Sequence, residues 1–218
     1  MTYVIKGVLI DWGGVLTTGL AEAIQDWIAA DRIDASNYRT VMIELISQAY
    51  DGGSTNIVHA LERGELPVAQ FEQELAAQLR TLDGGPVVAE GILNRMFAGF
   101  RPVAEMSEML RVAKGAGLRT CLVSNSWGND YPREDWGEMF DAVVISSEVG
   151  MRKPEPGIFE HALGLVGLPA EECVFVDDIE ANVTAAQSLG LTAIHHTDPV
   201  VTIGALEALV GRPLRRGA

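Results

Sequence analysis

Asp11 closes an apolar run, VLID, and is followed by Trp12 and the pair Gly13–Gly14. Ser124, Asn125 and Ser126 follow the run RTCLV, Lys153 stands in GMRKPEP, and Asp177–Asp178 end the run ECVFV. If these groups converge, three carboxylates share one site. They then repel, and each pushes the others' pKa upward. A hard divalent cation with oxygen ligands relieves that repulsion, and Mg²⁺ suits such a donor set. Lys153 adds one positive charge, Ser124 a hydroxyl, and Asn125 backbone and side-chain donors. The glycines after Asp11 let backbone N–H groups of the turn, at Trp12 and Gly13, approach an anion closely. A carboxylate nucleophile, a hard cation, a lysine and a ring of donors together suit phosphoryl transfer, where catalysis is mainly positioning and charge neutralisation.

The elements that must bring these residues together are legible as short apolar runs. GVLID (7–11), RTCLVS (119–124), DAVVIS (141–146), ECVFVD (172–177) and TAIHH (192–196) fit strands buried on both faces. The segments 102–117, 154–168 and 178–190 carry apolar residues three and four apart and predict helices between the later strands. This alternation predicts an α/β fold, a parallel sheet covered by helices. Residues 19 to 100 read as helical throughout, in patterns such as LAEAIQDWIAADR and LPVAQFEQELAAQLR, so a helical block interrupts the sheet after its first strand. Ligands of open parallel sheets bind beyond the carboxyl ends of the strands. Each polar group named above stands at such an end or on the loop just past it. Taken singly, each has an ordinary structural use as a cap, a turn or a solvated loop residue. Their joint placement carries the inference.

The chain has 218 residues, 48% of them apolar and 21% charged, which suits one core domain with an insertion. Its net charge of −14 argues against nucleic acid and membrane surfaces as partners. Cys121 and Cys173 lie inside apolar runs without metal-ligand spacing, which predicts buried thiols. The first apolar run is too short to span a membrane and no secretory pattern precedes it, so the expected location is cytoplasmic. His195 and His196 are neighbours on a strand and point to opposite faces, against a shared metal site. Trp12 and Trp127 suit either a pocket wall or core packing.

In this order, LIDWGGVL, LVSNS, RKPEPGIF and VFVDDIEAN resemble the motifs of the haloacid dehalogenase-like superfamily of hydrolases. The resemblance implies a Rossmann-like core with helices on both faces, spanning 1–17 and 101–218, and an α-helical cap spanning 18–100. The spacing Asp177, Asp178, Asn182 is similar to the DDxxxN form of subfamily IA, which includes many small-molecule phosphatases. By resemblance, Asp11 is the nucleophile and a Mg²⁺ ligand, Asp178 the second direct ligand, and Asp177 acts through metal-bound water. Ser124 and the Asn125 amide hold phosphoryl oxygens, and Lys153 bridges nucleophile and phosphate. The implied partner is a small phosphorylated metabolite, bound by a monomer or homodimer, with one or more of Tyr38, Arg39, Tyr50 and His59 touching it from the cap.

Gly13 departs from the pattern. Most phosphatases of this superfamily have Asp there, which protonates the leaving oxygen and later activates water. Its carbonyl is also a metal ligand, and glycine keeps that carbonyl. The metal site therefore survives while a general acid worth about 10²–10⁴-fold is lost. The departure leaves room for a weak or inactive domain that binds a phosphorylated ligand or a protein. A 2-haloacid dehalogenase is the third reading, but it has no use for the Asp177–Asp178 pair.

Overall fold

The computed structural model describes residues 4–50, 56–128 and 130–215, excluding the side chains of 46–50; the Tyr50 side chain, expected to face the ligand, therefore lies outside the description. Five parallel strands, β1 (Gly7–Ile10), β2 (Arg119–Ser124), β3 (Ala142–Ile145), β4 (Cys173–Asp177) and β5 (Thr192–His195), form one sheet in the order β3-β2-β1-β4-β5. Each lies within a residue or so of its apolar run. Alternation sends Val8 and Ile10 to one face and Leu9 to the other. The first face packs Met106, Leu110, Ile203 and Leu206, and the second packs Ile158, Phe159, Ala162 and Ala186. Helices therefore cover both faces, and the strands are buried twice, as their near-continuous hydrophobicity requires. Cys121 and Cys173 lie in the second cluster as buried thiols without a disulfide.

The helices among the described residues are α1 (Leu20–Ala30), α2 (Ala35–Tyr50), α3 (Ile57–Glu62), α4 (Val68–Gln78), α5 (Ile92–Phe97), α6 (Ala104–Gly115), α7 (Trp136–Met139), α8 (Ser146–Val149), α9 (Pro156–Val166), α10 (Glu180–Ser188) and α11 (Pro199–Val210). Helices α1 to α5 form the block inserted after β1 and bury their own cluster, including Trp27, Leu45, Phe71, Leu75 and Ile92. Two adjacent strands of chain join the block to the sheet. Thr17 and Pro102 form an antiparallel bridge, the Thr18 amide donates to the Arg101 carbonyl (2.8 Å), and the Val103 amide donates to the Leu16 carbonyl (2.9 Å). No helix of the described residues is long and apolar enough to cross a membrane.

Register decides what meets at the sheet's carboxyl edge. Central β1 pairs with β2 and β4, with Ile10 opposite Leu122 and Val176. The Asp11 amide donates to the Val176 carbonyl at 2.9 Å, carrying the ladder one residue further. Asp11 therefore lies beside Asp177, with Ser124 on its other flank. DAVVIS ends as strand one residue early, because α8 starts at Ser146. The helical pattern expected over residues 86–100 is helix only from Ile92. Gly91 caps it in the left-handed region (φ 69°), and the preceding residues run as irregular chain.

Candidate active site

Lys153 is the centre of the site. Its side chain is 1% exposed, and Nζ lies 2.8 Å from Asp11 Oδ1 and 2.7 Å from Asp177 Oδ2. Burial alone would lower its pKa, but the two carboxylates outweigh that and hold it above the usual lysine range. Asn125 fixes the loop that carries it. Its Oδ1 accepts from the Lys153 amide (2.8 Å) and its Nδ2 donates to the Lys153 carbonyl (2.9 Å). The Asn125 side chain, expected to offer donors to ligand, is thus a clamp on Lys153, leaving its backbone amide for that purpose.

Asp11 is 7% exposed. Its Oδ1 also accepts from the Trp12 amide at 2.7 Å, so that N–H serves the nucleophile candidate rather than a ligand. Burial pushes the Asp11 carboxyl up to about 7; Lys153 opposes the rise, and Asp177 and Asp178 add to it. Asp177 is fully buried and fully engaged. It accepts from Lys153, from the Ile179 amide (2.8 Å), and from Asn182 Nδ2 at 3.0 and 3.1 Å to its two oxygens. Asp178 is half-buried, and burial, then its neighbour Asp177, raises its pKa. Carboxylate oxygens of Asp11, Asp177 and Asp178 lie within 4.8 Å of one another, an oxygen donor set that fits a hard divalent cation.

Gly14 makes this packing possible. Its φ is +76°, and a Cβ there would stand 2.2 Å from Asp178 Oδ2. Gly13 is different, since a Cβ would meet nothing closer than Phe100 Cζ at 3.9 Å and no left-handed backbone demands glycine. The absence of a carboxylate at 13 is therefore not forced by the backbone.

These groups open into a cleft of about 310 Å³ between the sheet edge and the inserted helices. Asp11, Trp12, Gly13, Ser124, Asn125, Lys153 and Asp178 all line it, whereas Asp177 stands behind them. The Ser124 hydroxyl lies 3.0 Å from the Tyr131 hydroxyl. Trp12 both walls the cleft and packs edge-on against Tyr131 (5.8 Å) and near Trp136 (5.5 Å). Trp127 likewise serves both uses, lining the cleft while meeting Phe71. Of the inserted residues singled out from sequence, His59 reaches the cleft, and Tyr38 packs on Trp27 instead. Arg39 is exposed and does not line the cleft. His195 Nε2 sits 2.9 Å from the Asp178 carbonyl oxygen, while His196 Nδ1 meets Thr202 Oγ1 at 2.8 Å, so the two rings do part company.

Sequence reasoning missed the link between insert and core. Glu62, at the end of α3, is buried and accepts from Trp127 Nε1 (3.0 Å) and from Arg152 Nε. Next to it, Arg63 pairs with Glu155 at 2.7 Å. Gly64, at φ +70°, lets the chain pass the Ser147 carbonyl so closely that a Cβ would lie 2.5 Å from it. The only available signal was Arg152 standing beside Lys153.

The parallel sheet thus sets a carboxylate cluster and a buried lysine at the ends of its strands, beneath inserted helices. The chain belongs to the haloacid dehalogenase-like hydrolase family, whose model matches residues 5–190. It is 29% identical over 218 residues to the sesquiterpene phosphatase astK of Aspergillus oryzae, covering 97% of this chain and 100% of that protein. It is 31% identical over 119 residues to bifunctional epoxide hydrolase 2 of Rattus norvegicus, or 51% of this chain and 21% of that longer protein. The fold matches a haloacid dehalogenase family enzyme of Bacteroides thetaiotaomicron with a TM-score of 0.64 at 24% identity, over 89% of this chain and 94% of that one. That enzyme has also been solved with magnesium and inorganic phosphate.

Proposed function

We propose that the chain is a Mg²⁺-dependent phosphatase that acts on a small phosphorylated metabolite through an aspartyl-phosphate. The observation that carries this reading is Lys153, buried between Asp11 and Asp177 at the floor of the cleft. In the proposal an Asp11 carboxylate oxygen attacks phosphorus as the ester P–O bond breaks. The departing oxygen keeps the bonding pair and takes its proton from water, since Gly13 offers none. Water then attacks the aspartyl-phosphate, releasing inorganic phosphate and the free carboxylate. Ser124, its hydroxyl held by Tyr131, and the Asn125 amide orient the phosphoryl oxygens. Lys153 offsets their charge, and Asn125 and Asn182 hold Lys153 and Asp177 in place. Asp11, Asp178 and the Gly13 carbonyl would hold Mg²⁺, with Asp177 behind them. When bound, the cation supplies charge neutralisation at the phosphoryl group. The full-length likeness to a protein named a phosphatase supports the same reading. The division into core (1–17, 101–218) and cap (18–100), and the DDxxxN subfamily, belong to this proposal; the paired crossings at Thr17 and Pro102 support the first and the Asn182–Asp177 bonds the second.

The test is phosphate release from phenyl phosphate and from alkyl phosphates, with Mg²⁺ and with chelator. Metal-dependent release is expected; equal rates in chelator would refute the reading. The cation should also act on stability. Titrating Mg²⁺ to about a hundred times its Kd should add about 2.7 kcal/mol, or roughly 5–11 °C in Tm for a chain of this size. Asp178→Asn is expected to remove most of that rise. A full shift in the variant would take Asp178 out of the metal site.

Gly13→Asp should fold normally, because the new Cβ has room. Crowded by carboxylates, the new acid would hold its proton, the form in which it can give one to a leaving alkoxide. Turnover of alkyl phosphates is expected to rise about 10²-fold and that of aryl phosphates much less. A fall for both alike would count against the missing-acid account.

A further inference from the structure

We propose that the substrate is the monophosphate of a hydrocarbon, an apolar alcohol or phenol, and not of a sugar or other polyol. This rests on the phosphatase reading and names its substrate class. The cleft wall beyond the carboxylates and Lys153 is built by Leu20, Met42, Val58, Phe97, Phe100 and Trp127. Three of these form a continuous aromatic surface. Phe97 and Phe100 stack at 5.3 Å and 22°, and Trp127 meets Phe97 edge-on at 6.3 Å.

Polar groups suited to a polyol are scarce on the same wall. Away from the phosphoryl groups the cleft has His59 and Glu62 from the insert and Arg152 from the core. The Glu62 carboxylate is already taken up by Trp127 and Arg152. The Tyr131 hydroxyl is held at Ser124, on the phosphoryl side. A sugar placed here would bring several hydroxyls out of water against ring faces and aliphatic carbons. Each hydroxyl left without a partner costs roughly tenfold in affinity or more. A hydrocarbon in the same place gains about fourfold per buried methylene. Gly13 sharpens the preference within the class. With no side-chain acid at that position, a phenoxide leaves more readily than an alkoxide, so aryl esters should exceed alkyl esters of equal size.

The experiment compares kcat/KM for butyl, hexyl, octyl and 1-naphthyl phosphate with glucose 6-phosphate and glycerol 3-phosphate, in Mg²⁺. Expected are a rise of about fourfold per methylene until the cleft is filled, 1-naphthyl phosphate above the alkyl esters, and both sugar-type esters at least about 10²-fold below octyl phosphate. Leu20→Ser, at a position 41% exposed and so tolerant of change, is expected to compress the octyl-to-butyl ratio about tenfold. Glucose 6-phosphate turned over as well as octyl phosphate, or rates independent of chain length, would overturn the substrate class while leaving the phosphatase reading intact. Release from none of the six would overturn the phosphatase reading, and the substrate class with it.

Discussion

Asp11→Asn is expected to abolish turnover, with kcat in saturating Mg²⁺ lowered about 10⁴-fold or more. An amide cannot attack phosphorus as a carboxylate does, and among the described residues no other carboxylate in the cleft is placed to replace it. Asp177 is tied on both oxygens to Lys153, Ile179 and Asn182, and Asp178 is packed over Gly14. The substitution is nearly isosteric. Asparagine's carbonyl can still accept the Trp12 amide bond, and Lys153 keeps Asp177 as its counter-ion. The fold should survive, and circular dichroism and Tm should show it. Rapid quenching during turnover supplies the complementary observation, an acid-stable, alkali-labile phosphoprotein in the wild type that the variant does not form. A variant retaining a tenth of the activity would remove Asp11 from the nucleophile's role.

Lys153→Met should damage both activity and stability, and for one reason. Methionine fills similar space and preserves contact with the Phe175 ring, over which Nζ now lies at 5.6 Å from the centroid. It leaves Asp11 and Asp177 buried together with their shared cation gone. Breaking a buried pair from one side costs about 3–5 kcal/mol, or roughly 6–20 °C in Tm for a domain of this size. The sign of the pH dependence follows. Without the ammonium that opposes its rise, the Asp11 carboxyl binds its proton more tightly folded than unfolded, so stability is lost as pH rises from the unfolded carboxyl range toward neutrality. The deficit relative to wild type should therefore be larger at pH 8 than at pH 5. Mg²⁺ should recover part of the stability by supplying positive charge. Activity should stay at least about 10²-fold down, because the phosphoryl oxygens lose their own cation. Wild-type activity per folded molecule would show Lys153 to be a structural counter-ion alone.

The sheet was legible because its strands are buried on both faces. Each is an unbroken apolar run with a polar stop, and the stops are the site. The helical insert was legible for a related reason, since its helices bury one stripe and expose the other. Helix α11 was not. PVVTIGALEALV is apolar on nearly every side, with Val200 and Val201 more than 60% exposed, so no period marks it. Among site residues, Asp11, Lys153 and the Asp177–Asp178 pair could be found because each ends a strand or follows one in a fixed order. Tyr131, Glu62 and Arg152 could not. Their importance lies in contacts across 7, 65 and 90 positions of chain, Ser124 to Tyr131, Glu62 to Trp127 and Glu62 to Arg152, which no local pattern encodes. Asn125 was marked for its donors, and its side chain proves to have a second use. Its position marked it, but only geometry shows its side chain spent on the Lys153 backbone.

The grip of Glu62 on Arg152 and Trp127 bears on how such enzymes can be recombined. An inserted block joined by only two crossings invites exchange as a module, with new specificity gained by grafting another protein's helices onto this sheet. Here the graft would carry away the acceptor for a guanidinium one residue from Lys153 and for an indole on the cleft wall. A chimera that respects the crossings but lacks a carboxylate at the end of its third helix would leave a part-buried arginine beside its own active site with the longer contact to Glu155, at 3.9 Å, as its remaining counter-charge. The transplantable unit is therefore larger than the chain crossings suggest: it comprises the inserted helices together with residues 127 and 152 of the recipient.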